Sequence, residues 1–330
     1  MNLAGLWYDS HPLSILLAPL GWLFSLAAAA RRYAYRAGLL RSEKMPVPVI
    51  VVGNITVGGT GKTPLVIYVA EALRQAGHRP GVVSRGYGGR AATWPQTVTA
   101  DSDPVMVGDE PVLIARRAGC PVAVAPRRAA AVGRLLAEYD CDVIVCDDGL
   151  QHYPLARDIE IAVVDGARRL GNGRCLPAGP LREPPARLRT VDLVVVNGGD
   201  SSDRCVMHLC GNMAFPVRDS NGACELGEWR GSTVHGVAGI GNPERFFVHL
   251  RSHGLNVVEH PFPDHHRFDS ADLRFGDELP VIMTEKDAVK CRSFAHPRLW
   301  YVPVAARLDA ACERQLRELL ARIMQRGAAK

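Results

Sequence analysis

Residues Thr56, Val57, Gly58, Gly59, Thr60, Gly61, Lys62 and Thr63 form one contiguous run between an apolar stretch at 47–53 and a helix-like stretch at 64–73. Such a run can hold nucleotide phosphates. A strand feeding a glycine-rich turn presents backbone N–H groups to phosphate oxygens, and the helix that follows favours negative charge at its N-terminus. Lys62 would then reach the β/γ-phosphates of ATP, and the Thr63 hydroxyl would hold Mg²⁺. Thr56 stands where the eight-residue P-loop pattern has its first glycine. Further along, the aliphatic residues 143–146 run into Asp147 and Asp148. In P-loop folds an acid at the end of a neighbouring strand organises Mg²⁺, and Asp147, directly after the strand, is the better placed. Strand-end aspartates are also ordinary turn formers. Asp109 and Glu110, between Gly108 and Pro111, could accept the proton of an attacking hydroxyl. They could equally be the cap and first turn of a helix, and the residues alone leave both open.

Positioning these groups requires a sheet. Short aliphatic runs at 47–52, 81–84, 122–125, 143–146, 159–164 and 193–197 alternate with helical patterns at 63–76, 110–118 and 129–139. Nearly continuous apolar strands with helices between them indicate an α/β unit, a mostly parallel sheet covered on both faces in three layers. From 198 to 230 the pattern weakens into Asp, Ser, Asn and Gly, with room for a hairpin near 205–209. Strand patterns at 233–240, 281–284 and 300–304 and helical ones at 243–253 and 308–324 then suggest a smaller second α/β domain. The expected division is 1–44, an N-terminal apolar helix with a basic segment; 45–200, a P-loop domain; 201–230, a linker; and 231–330, the second domain.

With 330 residues, 47% hydrophobic and 22% charged, the chain is long enough for two cores. The nine cysteines are odd in number and contain no Cys-x-x-Cys. That favours a reducing compartment over a disulfide framework or structural zinc. A formal charge of +5 is too small to imply nucleic acid, and none is expected as a partner. Residues 12–30 carry no ionisable side chain, and no Lys or Arg precedes them, which argues against a secretory signal. Pro19, Gly21 and two serines weaken the stretch as a spanning helix. Arg31, Arg32, Arg36, Arg41 and Lys44 follow it, so an apolar helix leading into a basic segment would suit an anionic membrane surface. Packing on the protein's own core is the other reading.

The runs 53–64, 84–88 (Ser-Arg-Gly-Tyr-Gly), 108–111, 147–152 (Asp-Asp-Gly-Leu-Gln-His), 176–183 and 284–289 together resemble the tetraacyldisaccharide 4′-kinases of lipid A biosynthesis, and the resemblance covers almost the whole chain. It implies transfer of the γ-phosphoryl group of ATP to the 4′-hydroxyl of an acylated glucosamine disaccharide 1-phosphate, at the cytoplasmic face of a bacterial inner membrane. Carried over by position, it makes Asp109 the general base and His265, in the run 262–267, its partner. His266 is the neighbouring alternative. Asp148 and Glu183 would join Thr63 and Asp147 around Mg²⁺. Arg182 would stabilise the transferring phosphoryl group or bind the lipid's phosphate. Arg127, Arg128 and Lys286 are further basic candidates. A competing class is a membrane-associated ATPase switch, because the core 58–63 is similar to deviant P-loops, although Val57 stands where their signature lysine would be.

Overall fold

The computed structural model describes residues 3–8, 11–200, 202–218, 222–294 and 297–328. Two sheets organise the chain. The larger has nine strands in the order Ala305–Leu308, Val206–Cys210, Leu193–Asn197, Ile159–Asp165, Val49–Gly53, Val143–Asp147, Pro80–Ser84, Val122–Val124 and Gln96–Val98. All its pairings are parallel except the outermost one at each edge. Strand Val49–Gly53 lies at its middle and is buried along its whole length. Side chains alternate across a strand, so Ile50 and Val52 pack with helices Lys62–Gln75, Asp109–Arg117 and Ala310–Ala328 on one face. Val49 and Val51 pack with helix Arg128–Glu138 on the other. Covering both faces is what permits continuous aliphatic strands.

The smaller sheet has six strands in the order Cys224–Glu225, Met213–Pro216, Leu299–Val302, Val281–Thr284, Thr233–Ala238 and Asn256–Pro261. Helix Pro243–Ser252 contributes Phe246, Phe247 and Leu250 to the core on one side, and helix Glu285–Cys291 contributes Ala288 and Cys291 to that on the other.

The sheets do not divide where the sequence pattern weakens. Val206–Cys210 is a strand of the larger sheet, and Ala305–Leu308 returns to pair with it antiparallel. The chain therefore crosses between sheets twice, at 211–212 and at 303–304. The two crossings touch: a Cβ on Gly211 would lie 2.2 Å from the Pro303 carbonyl oxygen. The hairpin expected near 205–209 is absent, since Val206–Cys210 and Met213–Pro216 belong to different sheets. Residues 201 and 219–221 of the expected linker lie outside the described residues. The C-terminal helix returns to the larger core, where Cys312, Leu316 and Leu320 are buried. One disulfide, Cys205 to Cys312, ties it to the start of strand Val206–Cys210, next to the edge of that sheet. Cysteine spacing held no sign of this bond, because its partners are 107 residues apart.

Helices Pro12–Leu16 and Ala18–Arg36 lie on the outside of the larger unit. Close approach is possible at Gly21, whose added Cβ would meet the Cys175 carbonyl at 2.9 Å. Leu16, Trp22 and Leu26 remain 75%, 71% and 68% exposed. Among the described residues no helix is long and apolar enough to cross a membrane.

Candidate active site

The glycine-rich run joins strand Val49–Gly53 to helix Lys62–Gln75, one residue earlier than the periodicity predicts. Gly58 and Gly61 sit at φ +100° and +91°, which only glycine adopts freely. Gly61 is the N-cap and offers no side chain to the first turn, so the opening N–H groups stay available to an anion. From behind, Asn197 Nδ2 donates to the Thr60 carbonyl at 3.0 Å, and the Val57 N–H donates to the Pro180 carbonyl at 2.8 Å. Val57 to Thr63 line a cleft of about 680 Å³. Thr56 is buried and bridges Leu181 instead, consistent with a loop whose first position need not approach a phosphate.

Asp147 and Asp148 end strand Val143–Asp147 with different surroundings. Ser84 Oγ donates to one Asp147 oxygen at 3.0 Å, and the other has no hydrogen-bond partner among the described residues. Burial, reinforced by the carboxylates of Glu110 and Asp148, pushes the Asp147 carboxyl up to about 7. Asp148, at φ +46°, turns into the cleft, 3.6 Å from Lys62 Nζ and 3.1 Å from Arg182. Burial opposes its ionisation, but Lys62 and Arg182 outweigh it and hold the carboxyl below the usual range. Arg128 is buried and donates to the Asp148 carbonyl. Arg127 points outward to Glu43.

Glu183 is not among the residues lining the cleft. Its two carboxylate oxygens accept from the Tyr153 hydroxyl and from Gln151 Nε2, with Arg187 at 3.6 Å. Gln151 also donates to the Asn54 carbonyl, so Glu183 braces the start of the glycine-rich loop from outside the cleft. Of the expected magnesium ligands, Thr63 and Asp148 line the cleft, Asp147 is buried beside Asp148 in the chain, and Glu183 is engaged elsewhere.

Opposite the loop, Asp109 opens helix Asp109–Arg117 and is 6% exposed. His265 Nδ1 lies 3.2 Å from both of its oxygens. His266 pairs with Asp272 at 2.9 Å, so His265 is the histidine facing Asp109. The choice follows from φ +60° at His265, a conformation histidine tolerates better than most residues. Burial would raise the Asp109 carboxyl, but the His265 hydrogen bond and the charges of Lys286 and Lys290 hold it down at about 2. The same hydrogen bond raises His265 above its ordinary value. Lys286 reaches Glu110 at 2.9 Å and Asp264 at 3.1 Å, and these carboxylates with Asp109 outweigh burial and hold its ammonium firmly protonated. Lys290 lies 3.9 Å from Asp109. Its spacing of four from Lys286 on one helix was the available sequence signal. Tyr87, 5.0 Å from the His265 ring, belongs to the Ser-Arg-Gly-Tyr-Gly run but carried no assigned role.

A family model for tetraacyldisaccharide-1-P 4′-kinase matches residues 13–321. The chain belongs to the tetraacyldisaccharide-1-P 4′-kinase family. It is 56% identical to the tetraacyldisaccharide 4′-kinase of Nitrosococcus oceani over 314 residues, 95% of this chain and 93% of the relative. It is 55% identical to that of Alkalilimnicola ehrlichii over 308 residues, 93% and 92% of the two chains. Among solved structures, LpxK from Aquifex aeolicus in complex with ATP aligns with a TM-score of 0.76 at 27% identity, covering 94% of this chain and 99% of that one. In this family member the glycine-rich loop and the Asp109–His265 pair come from different parts of the chain but border one cleft, which both Lys62 and His265 line.

Proposed function

We propose that the chain phosphorylates the 4′-hydroxyl of an acylated glucosamine disaccharide 1-phosphate with ATP as donor. One observation carries this reading: the glycine-rich loop and His265, which is paired with the buried carboxylate of Asp109, line the same cleft. The loop N–H groups and Lys62 bind the β- and γ-phosphates. Arg182, held beside Asp148, offers charge to the phosphoryl group in transit. Asp109, ionised at neutral pH, takes the hydroxyl proton and shares it with His265, which its hydrogen bond orients. A nucleotide switch needs no such pair facing its loop, and this favours transfer over regulated hydrolysis.

The residues fit Mg²⁺. Asp147 has a buried oxygen without a partner among the described residues and a carboxyl crowded by two others, and Thr63 and Asp148 supply hard oxygen donors at the cleft. When bound, the ion would neutralise charge on the β- and γ-phosphate oxygens.

The lipid acceptor gives the exposed helices Pro12–Leu16 and Ala18–Arg36 their use. Leu16, Trp22, Leu23 and Leu26 would enter the interface of the inner membrane on its cytoplasmic side and hold the cleft near the sugar. Tethering raises the effective concentration of enzyme and substrate for each other. Arg31 instead turns inward, donating to the Gln151 carbonyl at 3.1 Å.

The test is to incubate the protein with γ-labelled ATP and Mg²⁺ in anionic vesicles with and without the acylated disaccharide phosphate. Label should enter the lipid. Label found only in free phosphate would support the switch and defeat this reading.

A further inference from the structure

Arg168 lies in none of the motifs, yet it grips the phosphate loop. It follows strand Ile159–Asp165 by three residues, and Asp165 fixes it at both ends. One Asp165 oxygen accepts the backbone N–H groups of Ala167 at 3.0 Å and Arg168 at 3.1 Å. The other accepts Nε and Nη2 of the Arg168 guanidinium at 3.3 and 3.2 Å. Arg245, from helix Pro243–Ser252 of the smaller sheet, reaches the same carboxylate at 2.9 Å.

Held in this way, the guanidinium donates from Nη2 to the Gly59 carbonyl at 2.7 Å and from Nη1 to the Gly241 carbonyl at 2.8 Å. Gly59 is in the phosphate loop; Gly241 precedes the N-cap of helix Pro243–Ser252 in the smaller sheet. The two turns meet backbone to backbone, since a Cβ on Gly241 would fall 2.3 Å from the Gly59 nitrogen. The Tyr8 ring lies over the guanidinium, 5.5 Å from centroid to Cζ.

A trans peptide is planar, so fixing a carbonyl turns the following N–H the opposite way. The Gly59 carbonyl sets the Thr60 N–H, and the Gly241 carbonyl sets the Asn242 N–H. Both are directed away from Arg168, and both Thr60 and Asn242 line the cleft. We propose that Arg168 is a positioning residue for phosphoryl transfer. A single guanidinium joins the phosphate loop to the Gly241 turn and aims one N–H from each sheet for the bound nucleotide. The fork of the guanidinium is essential, because it serves two carbonyls and Asp165 at once. A lysine ammonium is a point charge on a flexible stem and cannot span them.

This inference rests on reading the cleft as the ATP site. The test is isothermal titration of ATP into the full chain without lipid, then steady-state kinetics with both substrates, on the parent, Arg168→Lys and Asp165→Asn. Arg168→Lys should weaken ATP binding and raise the KM for ATP on the order of tenfold. The KM for lipid should stay near the parent's, while the thermal midpoint should fall modestly because two carbonyls and Asp165 lose a partner. Asp165→Asn, which keeps the shape but loosens the brace, should move ATP affinity in the same direction by less. If Arg168→Lys does not fold, Asp165→Asn carries the decision. ATP affinity within twofold of the parent in a folded variant would overturn the clamp, as would a loss confined to thermal stability. If the parent bound ATP but labelled no lipid, the kinase reading would fail, while the titrations would still decide the role of Arg168.

Discussion

Two buried aspartates, one on each side of the site, have opposite electrostatics. Asp109 opens a helix that packs against helix Glu285–Cys291 of the smaller sheet, and Asp147 ends a strand near the middle of the larger one. They are 6% and 1% exposed, and burial alone would raise both carboxyls. Yet one is held at about 2 and the other pushed up to about 7. The sign of the neighbours decides. His265, Lys286 and Lys290 surround Asp109, whereas Glu110 and Asp148 crowd Asp147. The Asp109 side is therefore electrically complete within the protein, and its cations come from the smaller sheet. On the other side Asp148 is matched by Lys62 and Arg182, but Asp147 has no cation within ion-pair distance among the described residues, and a divalent cation would supply one.

The largest expected effect comes from breaking the complete side. Asp109→Asn should lower kcat by roughly 10²- to 10⁴-fold, the usual worth of a positioned proton acceptor. ATP affinity, measured by titration, should hardly change. Any large shift in Mg²⁺ dependence for this variant would mean that the two sides are not separate. Asp147→Asn should act on the other side, raising the Mg²⁺ concentration for half-maximal rate by roughly tenfold or more, as for residues that support a metal's direct ligands. Added Mg²⁺ should restore most of its turnover. A kcat loss that Mg²⁺ does not repair would give Asp147 a part on the proton side.

How much of this was legible depended on distance along the chain. The loop from Val57 to Thr63 could be read almost to the residue, because its strand, turn and helix are contiguous and glycine marks the positive-φ positions. Asp109 and His265 are 156 residues apart, so residue chemistry left Asp109 open between a base and a helix cap, and only the family resemblance paired them. The choice of His265 over His266 turned on one backbone angle that spacing does not reveal. Glu183 faces Tyr153 and Gln151 while its neighbour Arg182 faces Asp148, an alternation that spacing along the chain does not reveal. The boundary between sheets was hidden for a similar reason. Ala305–Leu308 is a four-residue edge strand with two alanines and an arginine, a composition with little β signal, and its partner lies about a hundred residues earlier. Arg168 was invisible because the groups it joins in the two turns are backbone carbonyls, which carry no residue identity.

The smallest effect, in stability, separates the two aspartates by the direction of their pH dependence. The unfolded Asp147 carboxyl titrates near 3.8 and the folded one near 7. Between those values the folded chain keeps a proton that the unfolded chain has lost. The Asp147 contribution is therefore fully present below the unfolded value and is lost as pH rises through about 7. Asp109 runs the other way: its contribution is present above 3.8 and is lost as pH falls through about 2. His265, raised above 6.5, loses its contribution as pH rises past that value, so it adds to the Asp147 trend at the upper end and must be subtracted. Comparing the parent with Asp147→Asn does this, since His265 is common to both. In metal-free denaturant titrations from about pH 4 to about pH 7, the parent should lose stability relative to Asp147→Asn as pH rises. Mg²⁺ should offset that loss near neutrality, because its charge takes over from the proton in balancing the Asp147 carboxylate. A stability difference that stays flat with pH would show that Asp147 titrates as an ordinary carboxyl, and the contrast between the two sides of the cleft would then rest on geometry without charge.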